Sequence, residues 1–447
     1  MTLDYVDLQT YSVMPGVTLS VLPTDKFKVG MLSLSFVLPF SPKEDTARAL
    51  LLSVLKRGCR SYPTMSAINR RLDELYATPF GVMHRYRGDR HYLGFAAETL
   101  ENRYVLDDTD IVREVLSLMR ELLFFPLTDD QGYLTEQYVA SEKKNTIDQI
   151  RALQNSPRSY AMARFRDLFY CEEPDYVGLL QGAEERVEAV RADQLTDIWQ
   201  RVVHTAPIHC FYVGGLPVEQ LKQSLCDILG PVMTETAREA EGMLYRCRAS
   251  HPFDEVRRVT EQGEQGQSHL ILGFRSGITL QSPEYYAMML CNELLGCSPI
   301  SRLFVHVREE QSLCYACSSS YREQRGDLIV GCGIRAENKE RAERAIMAQI
   351  EALQKGDFTE AEWQAAKKSL IGSTRQVEDS ARVLSDFYSL RQPLCPDHTI
   401  ADYVARFDAL TKQDVMAAAR RLTLEMVYFR RGTDSDEEAG EEDAYDG

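Results

Sequence analysis

The chain repeats itself, and that repeat limits its fold more than any other feature. The segment Thr135-Glu136-Gln137-Tyr138-Val139-Ala140-Ser141-Glu142-Lys143-Lys144 is matched without a gap by Thr359-Glu360-Ala361-Glu362-Trp363-Gln364-Ala365-Ala366-Lys367-Lys368, an offset of 359 − 135 = 224. Downstream, residues 195–202 (LTDIWQRV) parallel residues 415–422 (VMAAARRL), an offset of 415 − 195 = 220. Upstream, Arg71-Leu72 precedes a polar hairpin and Tyr92-Leu93-Gly94-Phe95, as Arg302-Leu303 precedes Asp327-Leu328-Ile329-Val330. Matches in the same order at nearly constant offset indicate a duplicated unit.

Each copy reads alike. Alternating or continuous apolar runs at 31–37 and 269–274 predict opening strands, and residues 46–55 and 284–295 predict buried helices. A hairpin, another strand and several amphipathic helices follow. Thr359 with Glu362 three residues on forms a capping box that starts one of them. Strands and hairpins first, helices after, predict an α+β fold of two tandem homologous halves, each a mostly antiparallel sheet with helices packed on one face. The expected divisions are an N-terminal half at 1–231, a polar linker at 232–258, a C-terminal half at 259–432 and an acidic tail at 433–447.

Charge narrows the function classes. The formal balance is 51 − 67 = −16. Eight of the acids lie in the tail: Asp434, Asp436, Glu437, Glu438, Glu441, Glu442, Asp443 and Asp446. Such a run buries nothing and is expected to be disordered. The remaining body is still acidic, which argues against nucleic acid as a partner. Eleven cysteines, an odd number, suit a reducing cytoplasm. The first residues have no signal-peptide pattern, and the apolar stretch at 31–40 is too short to span a bilayer, so no membrane is expected.

Candidate chemistry is sparse. None of the eight histidines (84, 91, 204, 209, 251, 269, 306 and 398) pairs at the spacing of a helical zinc motif. Cys314 and Cys317 form a Cys-x-x-Cys within an expected strand, where residues three apart face opposite sides, and no second pair exists for zinc. Residues 263–266 (GEQG) read as a loop without a phosphate-cradling pattern. Ser53 and Cys59 have no histidine nearby in sequence to activate them.

One stretch is specific. Gly296-Cys297-Ser298-Pro299-Ile300-Ser301-Arg302-Leu303-Phe304, followed by Val307-Arg308-Glu309-Glu310-Gln311-Ser312-Leu313-Cys314-Tyr315, resembles the Gly-rich turn, Ser-Arg-Leu-Phe and Arg-Glu-x-x-x-Leu-x-Tyr pattern of the insulinase/pitrilysin zinc peptidases. The resemblance runs from about residue 19 to 430. It implies a two-half fold like that of mitochondrial processing peptidase. It also implies a substrate-binding Arg and Tyr, here Arg308 and Tyr315 (315 − 308 = 7). A cation and a phenol can hold a substrate carbonyl or an oxyanion by hydrogen bonds.

In the family, His-x-x-Glu-His on one helix binds Zn²⁺ and supplies the base. Aligning the helix end at Lys56-Arg57-Gly58 places Ala49, Leu52 and Ser53 where His, Glu and His would stand. Gln149 falls at the distant metal-ligating Glu, with Glu142 seven residues before it. The resemblance therefore implies a non-catalytic subunit with no cofactor of its own and no stoichiometric zinc. Its expected partner is a catalytic insulinase-type chain with an intact His-x-x-Glu-His, which holds the zinc and cleaves a peptide substrate. The short form resembles the bacterial branch of such pairs associated with peptide maturation and with modification of elongation factor P. Two alternatives stay open: a degenerate relative that only binds or scaffolds, and an independent enzyme with an unrecognised site. The isolated chain could also pair with itself.

Overall fold

The computed structural model describes residues 7–233, 245–263, 266–391, 394 and 399–432. The acidic tail, residues 234–244 of the linker and part of the 263–266 loop lie outside the described residues.

Among the described residues, eleven strands form two sheets. The first contains β1 (Gln9–Met14), β2 (Val17–Pro23), β3 (Val29–Pro39), β4 (Phe80–Arg87), β5 (Arg90–Leu100) and β6 (Ile208–Gly214), in the order β1-β2-β6-β3-β5-β4. The second contains β7 (Arg257–Gln262), β8 (Ser268–Arg275), β9 (Cys314–Arg322), β10 (Asp327–Ile334) and β11 (Thr423–Arg431), in the order β7-β11-β8-β10-β9. Without β1 the two orders superimpose strand for strand: β2 on β7, β6 on β11, β3 on β8, β5 on β10 and β4 on β9. Pairing direction matches too. β2 with β6 and β7 with β11 are parallel, and every other pair is antiparallel. A shared order with a shared single parallel pair is the three-dimensional form of the repeat.

The central strands explain themselves by composition. β8 is buried along its whole length, and β3 is exposed only at its ends. Such strands need cover on both faces. In the first unit, the helices Asp45–Leu55, Met65–Glu74, Ile111–Phe124, Ala192–Thr205 and Val218–Leu229 contribute one large apolar cluster with β2, β3, β5 and β6. Helix Ile111–Phe124 shows the logic. Asp110 caps it by accepting from the Arg113 N–H at 3.1 Å, and Val112, Val115, Leu116, Met119, Leu122 and Leu123 recur at helical spacing and are buried.

The compact units are not two continuous stretches. One comprises Met1–Gln149, Gly182–Cys247 and Ser373–Val404; the other comprises Ile150–Gln181, Arg248–Gly372 and Ala405–Gly447. Thus the helix Pro157–Phe169 packs on β8 and β11 of the second sheet, and the helix Ala381–Arg391 packs on β3 and β6 of the first. Gly273 in β8 makes the first of these possible: a Cβ there would lie 2.7 Å from the rings of both Phe165 and Phe169. On the first sheet, the buried Arg87 guanidinium holds the end of Ala381–Arg391, donating to the carbonyl of Ser389 and, at 2.7 Å, to its Oγ. Among the described residues, no helix is long and apolar enough to cross a membrane.

Candidate functional site

Ala49, Leu52 and Ser53 lie in the helix Asp45–Leu55. Leu52 is 1% exposed and belongs to the core, while Ala49 and Ser53 are partly exposed. An apolar methyl, an apolar isobutyl and one hydroxyl provide neither a thiolate, an imidazole nor a carboxylate for Zn²⁺. Gln149 is exposed on the helix Glu136–Ala152. Glu142, on the same helix, is buried, and its carboxylate accepts from the Arg57 guanidinium. Arg57 also donates to Ser141 Oγ at 3.3 Å. The carboxylate is thereby neutralised by a cation on the segment that follows the helix Asp45–Leu55. These residues do not fit a peptidase zinc, and no hydrolytic step can be built on them.

The start of the same helix carries a polar cluster that sequence reasoning missed. Asp45 accepts from the Tyr86 hydroxyl, which lies 3.3 Å from His84 Nε2. His91, fully buried, is stacked on Tyr86 at 4.6 Å and meets the edge of His84 at 4.4 Å. Among the described residues, neither nitrogen of His91 has a hydrogen-bond partner. Burial pushes its pKa down to about 2 and lowers that of His84, while burial raises that of Asp45. Asp45, His84 and His91 converge through the β4–β5 hairpin, so their sequence separation gave no sign of it.

Arg308 lies in a π-helical segment, Leu303–Glu309, of the second unit. Its guanidinium rests 4.5 Å above the Phe304 ring, and Nε is 3.6 Å from Glu309, with 41% of the side chain exposed. The chain then turns sharply. Ser312, in the left-handed region at φ 49°, donates its N–H to the Arg308 carbonyl at 3.0 Å, and Leu313 donates to Val307 at 3.2 Å. This turn delivers the chain into β9, the edge strand of the second sheet, where Tyr315 is 46% exposed. The two residues proposed to touch substrate are thus both solvent-accessible and joined by one tight turn.

β9 also corrects the reading of Cys314 and Cys317. Gly333 faces Ala316 but Ile334 faces Cys314, so Tyr315 has no partner across the ladder. This bulge inverts the alternation of the strand. Residues 314 and 317 therefore share a side, and Cys332 of β10 sits directly opposite Cys317. The three sulfurs lie within 4.8 Å of one another, with Cys317 and Cys332 buried and Cys314 partly exposed. Hydrogen bonds from the Cys317 and Cys332 thiols, with the nearby Arg308 charge, hold the Cys314 thiol well below the usual cysteine range.

The chain resembles known proteins along nearly its whole length. Residues 189–370 match the family model described as "Peptidase M16 inactive domain". The Bacillus subtilis protein "Probable inactive metalloprotease YmfF" is 28% identical over 419 residues, covering 94% of this chain and 96% of the relative. A second B. subtilis protein, "Uncharacterized zinc protease YmxG", is 27% identical over 306 residues, covering 68% of this chain and 71% of the relative. Among solved structures, a conserved protein from Enterococcus faecalis V583 aligns with a TM-score of 0.85 at 24% identity, covering 96% of this chain and 100% of that one. Residues 189–370 thus carry a match to the peptidase M16 inactive domain, and over nearly its whole length the chain, with its two-sheet fold, is similar to a probable inactive metalloprotease.

Proposed function

We propose that this chain is the non-catalytic subunit of a heterodimeric zinc metallopeptidase of the cytoplasm. A partner with an intact His-x-x-Glu-His binds Zn²⁺ and activates water, and the peptide adds as a strand to the sheet edge of that catalytic chain. This chain binds and positions the peptide. The Arg308 guanidinium and the Tyr315 hydroxyl donate to the substrate backbone, where they can also offset charge developing on the scissile carbonyl. Alone, the chain has no peptidase activity.

One contrast carries the reading. The helix at 49–53 has lost every group that could bind zinc, while Arg308 and Tyr315 keep the family spacing and are 41% and 46% exposed. Exposed side chains of this size contribute little to folding. The two B. subtilis relatives, one a probable inactive metalloprotease and the other an uncharacterized zinc protease, agree with a division of labour between related chains.

The test is to reconstitute the chain with an M16-type subunit of its own organism that keeps the zinc motif, and to compare wild type with Arg308→Ala and Tyr315→Phe. Each substitution should lower kcat/KM for a peptide by about tenfold to a hundredfold, with complex formation and thermal stability unchanged. Unaltered kcat/KM in both variants would reduce the chain to a scaffold.

A further inference from the structure

Cys314, Cys317 and Cys332 have no part in the function proposed above, and their arrangement is not what a regular strand produces. We propose that they form a binding site for one thiophilic d¹⁰ metal ion, Zn²⁺ or Cu⁺. This departs from the expectation that the chain carries no metal, and it concerns a place remote in sequence from positions 49, 52, 53 and 149.

Three observations support it. All three sulfurs lie within 4.8 Å of each other. A metal–thiolate bond of about 2.3 Å sets neighbouring sulfurs about 3.8 Å apart in a tetrahedral site, so the cluster needs to contract by no more than about 1 Å. The bulge at Tyr315 rotates Cys314 to the side of Cys317, and the register places Cys332 opposite Cys317; without the bulge only two thiols would meet. Finally, Cys317 and Cys332 are 6% and 5% exposed while Cys314 is partly open, giving a shielded site with an entry path.

The donor set selects the ligand. Three sulfurs with no carboxylate or imidazole among them disfavour Mg²⁺, Ca²⁺ and Mn²⁺ and suit Zn²⁺ or Cu⁺. Cu⁺ is satisfied by three thiolates, whereas Zn²⁺ would keep one position for water. Binding releases the thiol protons and crosslinks β9 to β10 beside the bulge that presents Tyr315.

The full chain, fully reduced and stripped of metal without oxygen, should be titrated with Co²⁺ as a spectroscopic stand-in for Zn²⁺ and, separately, with Cu⁺ against a competing chelator. The expected result is one ion per chain, with a thiolate-to-cobalt charge-transfer band that one equivalent of Zn²⁺ removes, or tight Cu⁺ uptake. Binding should disappear in Cys314→Ser and Cys317→Ser and persist in Cys226→Ser, an exposed cysteine elsewhere. Wild-type protein gives a second measure that needs no variant: bound metal should shield Cys314, Cys317 and Cys332, and no other cysteine, from alkylation mapped by mass spectrometry. Failure of the reduced chain to take up either ion would overturn the proposal. So would binding that survives both substitutions, or alkylation of the three thiols unaffected by metal.

Discussion

His91 offers a sharp test of the structure around the helix Asp45–Leu55. The imidazole is fully buried between Tyr86 and His84, with both nitrogens unpartnered. Burial moves its pKa from 6.5 to about 2. His209, on β6 of the same sheet, falls to about 3 for the same reason. For a depressed histidine the sign is fixed. The unfolded chain binds the proton first, so the stabilisation is complete above pH 6.5 and is lost as the pH falls through that value toward the folded pKa. At about pH 5.5, one unit below the unfolded pKa, each such histidine costs about 1.4 kcal/mol, and at about pH 7.5 almost nothing. His91→Phe keeps an aromatic ring beside Tyr86 and removes the titration. Urea unfolding of wild type and variant at both pH values should show the variant losing about 1.4 kcal/mol less on acidification. At pH 7.5 the variant should also be more stable by about 1–3 kcal/mol, because the orphaned nitrogens are gone. Identical losses in the two proteins would mean that His91 is not held neutral in a dry cluster, and the geometry of the β4–β5 hairpin would be wrong.

Two further outcomes follow from the same region. Leu52→Glu places a carboxylate at a site 1% exposed and should destabilise by about 3 kcal/mol or more, whereas Ala49→His and Ser53→His, at partly exposed positions, should stay within about 1 kcal/mol of wild type by urea unfolding; equal tolerance at all three would show that Leu52 is not core. Arg57→Ala strands the buried Glu142 carboxylate and should cost about 2 kcal/mol, largely restored by adding Glu142→Gln; a double variant no better than the single would contradict the pairing.

How much of this was legible in the sequence follows from the range of the signals. The duplication was legible because it preserves local patterns: the apolar run of 269–274, the capping pair Thr359 and Glu362 (Thr359 N–H to Glu362 at 2.7 Å), and matching residues such as Arg71 and Arg302. Even their roles repeat. Arg71 reaches Glu114 at 2.6 Å and Arg302 reaches Gln349 at 3.1 Å, on corresponding helices. The closing strand β11 carries its own signal in the buried run Met426-Val427-Tyr428-Phe429. The interchange of Pro157–Phe169 and Ala381–Arg391 between units was not legible, because an amphipathic helix records that it has an apolar face and not which sheet covers it. The three-sulfur cluster depended on a bulge at Tyr315, a residue with no glycine or proline signature, and the Asp45–His84–His91 cluster on a hairpin closing 39 residues away in sequence (84 − 45 = 39). That Ala49, Leu52 and Ser53 offer no imidazole or carboxylate needed only the identities of three residues on one helix.

The central claim is that this polypeptide cannot cleave peptides unaided and gains a role only beside a zinc-bearing relative. The most direct measurement is turnover of an unstructured peptide by the purified chain alone, by an M16-type subunit with an intact His-x-x-Glu-His from the same organism, and by the two mixed. The account predicts no turnover by the chain alone, and turnover by the mixture that exceeds either component and vanishes when the subunit's metal-binding histidines are replaced. Hydrolysis by the chain alone would contradict it.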